Sequence, residues 1–148
     1  GLTLLQWLND FLKVSPVNEV AYEAPLNSAI AAKIGTTIDT SIGLLGFCHI
    51  VEVVCEARGI KCQMHDVQDV RQHFTGKRIH KAGHNALTGK EISSRDMAKM
   101  ATIEQCRIAG ISVTDDNQAD AAALHSYVSG LRKPSSAMRV TPLFRESA

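Results

Sequence analysis

The stretch Ile60-Lys61-Cys62-Gln63-Met64-His65-Asp66-Val67-Gln68-Asp69-Val70-Arg71-Gln72-His73-Phe74 decides the fold class. Residues 60–65 are a strand candidate, and residues 67–74 have the spacing of a short helix. Asp66, between the two, is a residue type that caps helix N-termini. A strand that leads directly into a helix predicts an α/β protein with at least a partly parallel sheet.

The N-terminal half repeats this alternation. Residues 2–13 have apolar spacing typical of an amphipathic helix, and residues 17–22 form a strand candidate that ends at Glu23. Residues 28–58 predict a long helical stretch with Gly59 as its C-terminal cap. Glycines within this stretch predict a kink or a close contact between helices: Gly35, Gly43 and Gly46.

The C-terminal half begins with a loop over residues 75–92 that is rich in glycine and basic residues. Ser93-Ser94-Arg95-Asp96 then has the form of a capping box and opens a helix that ends near Gly110. A last helix is predicted over residues 117–131. Residues 1–132 are expected to form the folded domain, and residues 133–148 are expected to be an irregular tail.

Length and composition fit an ordinary globular protein of one domain. The 148 residues are enough for one core, and 16 basic against 15 acidic residues exclude a uniformly basic surface. A local basic stripe can still contact phosphates. The four cysteines show neither a CxxC pair nor the spacing of zinc ligands, so we expect a reduced, cytoplasmic protein. The sequence predicts no membrane span and no signal peptide, so we expect no membrane partner.

Carboxylates are the strongest functional candidates. Glu23 follows an apolar strand, at the position where open α/β sheets place ligand sites, although it also fits a solvated strand end. Asp116 and Asp120 lie four residues apart, so on a helix they share a face and could bind a cation together. Asp115 is better explained as a helix cap. The alanines around Asp120 predict a helix packed closely against the sheet.

Basic residues are the second set. The loop over residues 75–92 combines cations with glycines that let backbone approach phosphates, which suits DNA or RNA, although solvated loops have the same composition. Lys99, on the following helix, could face the acidic site or be an ordinary surface lysine. The histidines show no zinc pattern. The residues predicted to contact nucleic acid are Lys77, Arg78, Lys81, Lys90, Arg95 and Lys99.

Four segments together resemble the RuvC-like Holliday junction resolvases of the ribonuclease H-like superfamily, particularly the phage type. They are Val20-Ala21-Tyr22-Glu23; the long helix that ends Cys55-Glu56-Ala57-Arg58-Gly59-Ile60; His73-Phe74-Thr75-Gly76-Lys77; and Asp115-Asp116-Asn117-Gln118-Ala119-Asp120-Ala121. The resemblance covers roughly residues 4–130 of this sequence.

The resemblance implies a ribonuclease H-like three-layer fold, in which helices flank a mixed sheet. It also implies a homodimeric endonuclease that cuts four-way DNA junctions in recombination and repair with two Mg²⁺ or Mn²⁺ ions. Glu23 and Asp120 match the family's metal ligands, and Lys99 falls near a lysine that contacts the cleaved phosphate. The helix of residues 28–58 matches the dimerisation helix.

The sequence departs from the family at two points. The family's first strand carries an aspartate in an Asp-x-Gly context, and this chain has no such segment. We therefore expect the initial strands to precede Gly1 or to come from another polypeptide, so that the chain by itself is inactive. This chain has Ala123 at the position where many relatives have a further acid or a histidine. Asp116 could compensate for the absence of that side chain.

Three readings follow. The first is a metal-dependent, structure-selective nuclease. The second is a non-catalytic ribonuclease H-like module that binds nucleic acid or scaffolds a dimer, which the missing first-strand aspartate favours. The third is a small-molecule α/β enzyme, against which stands the absence of any Walker loop, GxGxxG or GxSxG motif.

Overall fold

The computed structural model of the chain describes residues 1–25, 35–85 and 88–132. These residues form five helices and four short strands, which confirms the mixed α/β class. The chain divides into two compact units, Gly1–His65 (unit 1) and Asp66–Ala148 (unit 2). The predicted tail, residues 133–148, lies outside the described residues.

Within its described residues, 1–25 and 35–65, unit 1 contains two helices and two strands in alternation. They are α1 (Leu2–Val14), β1 (Glu19–Glu23), α2 (Ile38–Ala57) and β2 (Lys61–His65). β1 and β2 pair in parallel, with Glu19 opposite Lys61 and Glu23 opposite His65. The Ala24 amide donates to the His65 carbonyl at 2.8 Å and continues the pairing past Glu23. The predicted parallel pairing is confirmed.

The core of unit 1 is built from α1, α2 and the residues that flank β1. Leu8, Leu12 and Val54 are buried together, because the helical spacing of the leucines puts them on one face. The Arg58 guanidinium donates to Asn9 Oδ1 at 2.9 and 3.2 Å and so ties the end of α2 to α1. Outside the core, Trp7 stacks on Phe11 with ring centroids 5.5 Å apart.

The predicted helix of residues 28–58 is corrected by the structure. The helix begins at Ile38, because Thr37 caps it by accepting from the Thr40 amide, and Gly35 has a left-handed φ of 78°. Residues 28–34 lie outside the described part. The other glycines, Gly43 and Gly46, sit inside one continuous helix, and a Cβ at either position would meet no atom within 4 Å. The expected kink or close contact is therefore not present in the described chain.

The end of α2 behaves as predicted. Gly59 follows the helix with φ 65°, and the Ile60 amide donates to the Cys55 carbonyl at 2.9 Å. This left-handed residue turns the chain directly into β2.

α2 also has an unusually apolar exposed surface. It is 20 residues long with a mean hydropathy of 1.6, and only 11% of its most apolar window is buried. Length and composition alone would fit a membrane span, so the expectation of no membrane partner stays a prediction. Its exposed large side chains are Ile38, Ile42, Leu44, Leu45, Phe47 and Val53.

Unit 2 consists mainly of three helices and a short hairpin. They are α3 (Val67–Thr75), β3 (Gly83–His84), β4 (Glu91–Ile92), α4 (Ser94–Ile108) and α5 (Asp116–Arg132). β3 and β4 pair antiparallel, so part of the segment predicted as a loop is a hairpin. Asn85 stabilises its turn, since its amide donates to the Lys90 carbonyl and its Oδ1 accepts from the Thr88 amide. Two residues of this segment, 86–87, lie outside the described part.

The core of unit 2 explains the alanines of α5. Ala119 and Ala123 are almost fully buried in one cluster with Val70, Phe74 and Cys106. Small side chains here let α5 approach α3 and α4 closely. The expectation that these alanines face a sheet is wrong for this core, whose members come from helices. In the described residues the two strand pairs are separate sheets, so the single mixed sheet stays a prediction.

Candidate active site

Two aspartates mark the first turns of α5. Asp115 is the N-cap, because its Oδ1 accepts from the Gln118 amide at 2.8 Å, and Gln118 Oε1 in return accepts from the Thr114 amide at 2.9 Å. The prediction that Asp115 caps the helix is confirmed. Asp116 and Asp120 are both helical and one turn apart, so they share a face as predicted.

Asp116 forms an ion pair with the lysine that the sequence singled out. Lys99 Nζ lies 2.5 Å from Asp116 Oδ2, and each side chain is about a third exposed. The hydrogen bond from Lys99 is the main reason that the pKa of Asp116 is lowered. Lys99 is positioned by α4, whose first turn is capped by Ser93: the Ser93 hydroxyl accepts from the Asp96 amide at 3.1 Å and donates to Asp96 Oδ2 at 2.7 Å.

The pKa of Asp120 is shifted in the opposite direction. Burial raises the pKa of Asp120, the charge of Arg71 opposes that rise, Asp116 adds to it, and Lys99 opposes it weakly. The side chain is therefore partly desolvated between two cations and one like charge. Cys106, fully buried beside it, has its own pKa raised by burial and by the Asp120 charge.

Arg71 is the site residue that the sequence analysis missed. Arg71 lies on α3 between the core residues Val70 and Phe74, so its side chain extends from the helix at the edge of the core. Its Nε is buried with no hydrogen-bond partner within the part of the chain that the structure describes. The sequence held no specific signal for Arg71, because exposed basic residues also follow buried ones on helices, as Arg107 follows Cys106 on α4.

Glu23 ends β1 in unit 1, partly buried and in register with His65. Asp116, Asp120 and Lys99 belong to unit 2. A common metal site for the two sets of carboxylates stays a prediction. Glu19 was not singled out by the sequence analysis: its side chain is 4% exposed, and Lys61 Nζ lies 3.4 Å from its Oε1.

The donor set of unit 2 fits a hard cation in part. Asp116 and Asp120 offer carboxylate oxygens from successive turns, and Mg²⁺ is commonly held by one or two carboxylates while it keeps several waters. Over residues 1–25, 35–85 and 88–132 there is no group of three or more His, Cys, Asp or Glu side chains arranged around one ion. All four cysteines are free, and the expected reduced, cytoplasmic setting stays a prediction.

The predicted nucleic-acid contacts fall into different environments. Arg78 is held by α3, with Nη1 2.6 Å from Asp69 Oδ1 and Nη2 4.0 Å from Asp66 Oδ1. Lys99 is paired with Asp116, as described above. The remaining four side chains are on exposed residues: Lys77, Lys81, Lys90 and Arg95. Arg95 also contributes to lowering the pKa of Asp116, which places it on the side of α4 that faces the acids.

No protein-family model matches the chain, and comparisons with curated proteins and with solved structures found no significant match. The resemblance to junction resolvases therefore stays a prediction.

Proposed function

We propose that the protein is a metal-dependent, structure-selective endodeoxyribonuclease similar to the crossover junction resolvases, with a ribonuclease H-like fold. The observation that carries the proposal is the arrangement at the start of α5. Two carboxylates one turn apart are flanked by Lys99 and Arg71, and Asp120 is partly desolvated. Acids beside cations are what hydrolysis of a phosphodiester requires, because both the attacking water and the charged phosphate must be bound.

Asp116 and Asp120 are the residues of unit 2 that would hold Mg²⁺ or Mn²⁺, and Glu23 keeps its predicted role as a metal ligand. A bound divalent ion supplies an acidified water and neutralises charge on the phosphate. Lys99 and Arg71 would bind phosphate oxygens, and the Lys99–Asp116 pair must loosen for Lys99 to do so. Arg71 brings a planar guanidinium suited to bidentate phosphate contacts.

The proposal includes a homodimer formed through α2. Six large apolar side chains of this helix are exposed, and exposed apolar side chains concentrated on one helix support an interaction site there. A symmetric dimer would present two cleavage sites to the two matching strands of a four-way junction.

The test is cleavage of a synthetic four-way DNA junction by the purified full-length protein with Mg²⁺. We expect paired symmetric nicks, which Asp120→Asn reduces at least about 100-fold because an anionic ligand of the metal ion is lost. Asp115→Asn is the matched control: asparagine caps a helix as well as aspartate does, so cutting should persist. Glu23→Gln should behave like Asp120→Asn.

Absence of nicks with wild-type protein would contradict the nuclease proposal. The second candidate is then a non-catalytic module that binds junction DNA or scaffolds a dimer. The Lys99–Asp116 ion pair favours it, since a carboxylate neutralised by a lysine at 2.5 Å is a weaker cation ligand. Junction binding in a gel-shift assay without cutting, in Mg²⁺ and in Mn²⁺, would support this second candidate.

A further inference from the structure

A groove of about 650 Å³ lies in unit 2 between α4 and the segment that follows α3. We call it the α4 groove. Thr75, Lys77 and His80 contribute to it from the end of α3 and the following loop, and Met97, Met100 and Ile103 contribute from α4. Its volume is within the range of about 300–1,000 Å³ typical of small-molecule sites.

The α4 groove is separate from the acidic residues of the candidate active site. The buried face of α4 is formed by Ala98, Thr102 and Cys106, and Lys99 adjoins that face to reach Asp116. Met97 and Met100 lie three residues apart and so share a face, and neither belongs to the buried face of α4. The groove is therefore a second surface of unit 2, which the proposed chemistry does not use.

The surface that α4 contributes is apolar although it faces solvent. Met100 is 53% exposed and Ile103 is 39% exposed. Met97 is held in place by β3, since a Cβ on Gly83 would stand only 3.3 Å from its sulfur. Methionine sulfur is polarizable and makes favourable contacts with aromatic rings, so this surface suits a flat ring.

The other contributions are one cation, one ion-paired acid and uncharged groups. Lys77 is exposed, and the His80 Nε2 atom shares a hydrogen bond of 3.3 Å with Thr75 Oγ1. Burial and the charges of Lys77 and Arg71 lower the pKa of His80, which leaves Lys77 as the cation. The acid of the groove, Glu104, is offset by Arg107, whose Nε and Nη2 donate to it at 2.8 and 2.6 Å.

A cation beside an exposed apolar surface complements a ligand in which a phosphate is joined to an unstacked aromatic ring, because the cation can contact the phosphate and the apolar surface can contact the ring. We propose that the α4 groove binds one unpaired nucleotide of a DNA strand, with the phosphate at Lys77 and the base against Met97, Met100 and Ile103. The choice of DNA rests on the proposed nuclease function. A paired base has its faces covered by neighbours, so a duplex would use the lysine but not the methionines.

The test measures binding of a fluorescent oligothymidylate of about 16 nucleotides, a length at the upper end of known single-strand sites, by anisotropy. Asp120→Asn is the background, so that cleavage does not interfere. Met100→Ala should weaken binding about 3- to 10-fold, the upper part of the range for losing one methionine–aromatic contact. Lys77→Met should also weaken binding and reduce the slope of log K against log salt by about one.

Matched controls come from outside the groove. Ile79→Ala removes an apolar side chain that is 73% exposed and outside the groove, and Lys13→Met removes an exposed charge of unit 1 that is not among the predicted nucleic-acid contacts. Both should bind within about twofold of the parent, because surface changes away from a site have effects within about 0.5 kcal/mol. Circular dichroism of each variant confirms that the fold is kept.

The inference is overturned if Met100→Ala binds the oligomer as well as Ile79→Ala does. It is also overturned if a blunt duplex depends on Met100 as strongly, or if thymidine monophosphate competes as tightly as the strand, which would indicate a free-nucleotide site. The nuclease proposal fails independently, through uncut junctions, while loss of binding in Met100→Ala would still support the groove.

Discussion

The surroundings of Asp120 oppose the ionisation of its carboxyl group. Its carboxyl is partly buried in a helix whose neighbouring alanines are in the core, and the like charge of Asp116 is one turn away. Arg71 and Lys99 offset only part of this cost. A side chain that disfavours its own charged state is typical of functional positions, because stability alone would select a different residue.

This environment gives a pH dependence of stability. Because the pKa of Asp120 is raised in the native state, chiefly by burial, the native state binds more protons than the unfolded state at pH values between the two pKa values. The free energy of unfolding therefore decreases as pH rises through that interval. We expect Asp120→Asn to be more stable relative to wild type at about pH 7 than at about pH 3.

Thermal unfolding at both pH values checks this, with Asp115→Asn as a control for the loss of one aspartate. A stability difference between Asp120→Asn and wild type that is the same at both pH values would contradict it. A greater destabilisation of the variant at neutral pH would show that the pairing with Arg71 outweighs burial.

Phe74 carries the largest buried side chain of unit 2, with 1% exposure. We expect Phe74→Ala to lower the free energy of unfolding by about 3–5 kcal/mol, because transfer energy is lost and a cavity remains. Ile79→Ala, at a side chain that is 73% exposed, should change it by less than about 0.5 kcal/mol. Urea unfolding measures both, and equal midpoints for the two variants would contradict the assigned core.

At the scale of elements, the sequence identified what local chemistry decides. Asp66, Ser93 and Asp115 cap three helices as their spacing predicted. Gly59 has the left-handed φ that its place after α2 requires. These features depend on bonds over two to four residues, so one sequence is sufficient to find them.

The remaining features depend on partners that a local pattern does not contain. The β3–β4 hairpin has only two residues per strand, too short for an alternating pattern. Arg71 gains its place beside Asp120 only when α3 and α5 share a core. The alanines of α5 correctly predicted close packing, but the elements packed against them are helices. Small side chains allow close approach of a helix as well as of a sheet, so the sequence did not distinguish the two.

The capping box stabilises the first turn of α4, the helix that carries Lys99. We expect Ser93→Ala to cost about 1 kcal/mol of the free energy of unfolding, because the Asp96 amide loses its acceptor. Ser94→Ala, one residue inside the helix and exposed, should have a much smaller effect. Urea unfolding distinguishes them, and hydrogen exchange should show faster exchange of the first turn of α4 only in Ser93→Ala.

At the scale of the whole molecule, α2 has more exposed large apolar side chains than any other helix in the described part of the chain. Leu45 of α2 and Leu131 of α5 are both 58% exposed, so they form a matched pair. We expect the wild-type chain to be a dimer in solution. Leu45→Glu should convert it to a monomer, because it buries a charge at the apolar interface, while Leu131→Glu should leave the dimer intact.

Light scattering coupled to size exclusion measures the mass of each variant. A monomeric wild type, or a dimer unaffected by Leu45→Glu, would contradict dimerisation through α2. Loss of the dimer in Leu131→Glu alone would move the interface to α5.

The stack of Trp7 on Phe11 has a consequence for how the protein can be observed. Trp7 is the sole tryptophan of the chain and lies in unit 1. Its emission therefore reports the unfolding of one half of the molecule, whereas far-ultraviolet dichroism sums the helices of both. If the two units melt as one, the optical transitions coincide. If Phe74→Ala moves the dichroism midpoint and leaves the indole emission where it was, the chain is a tandem of separately melting parts.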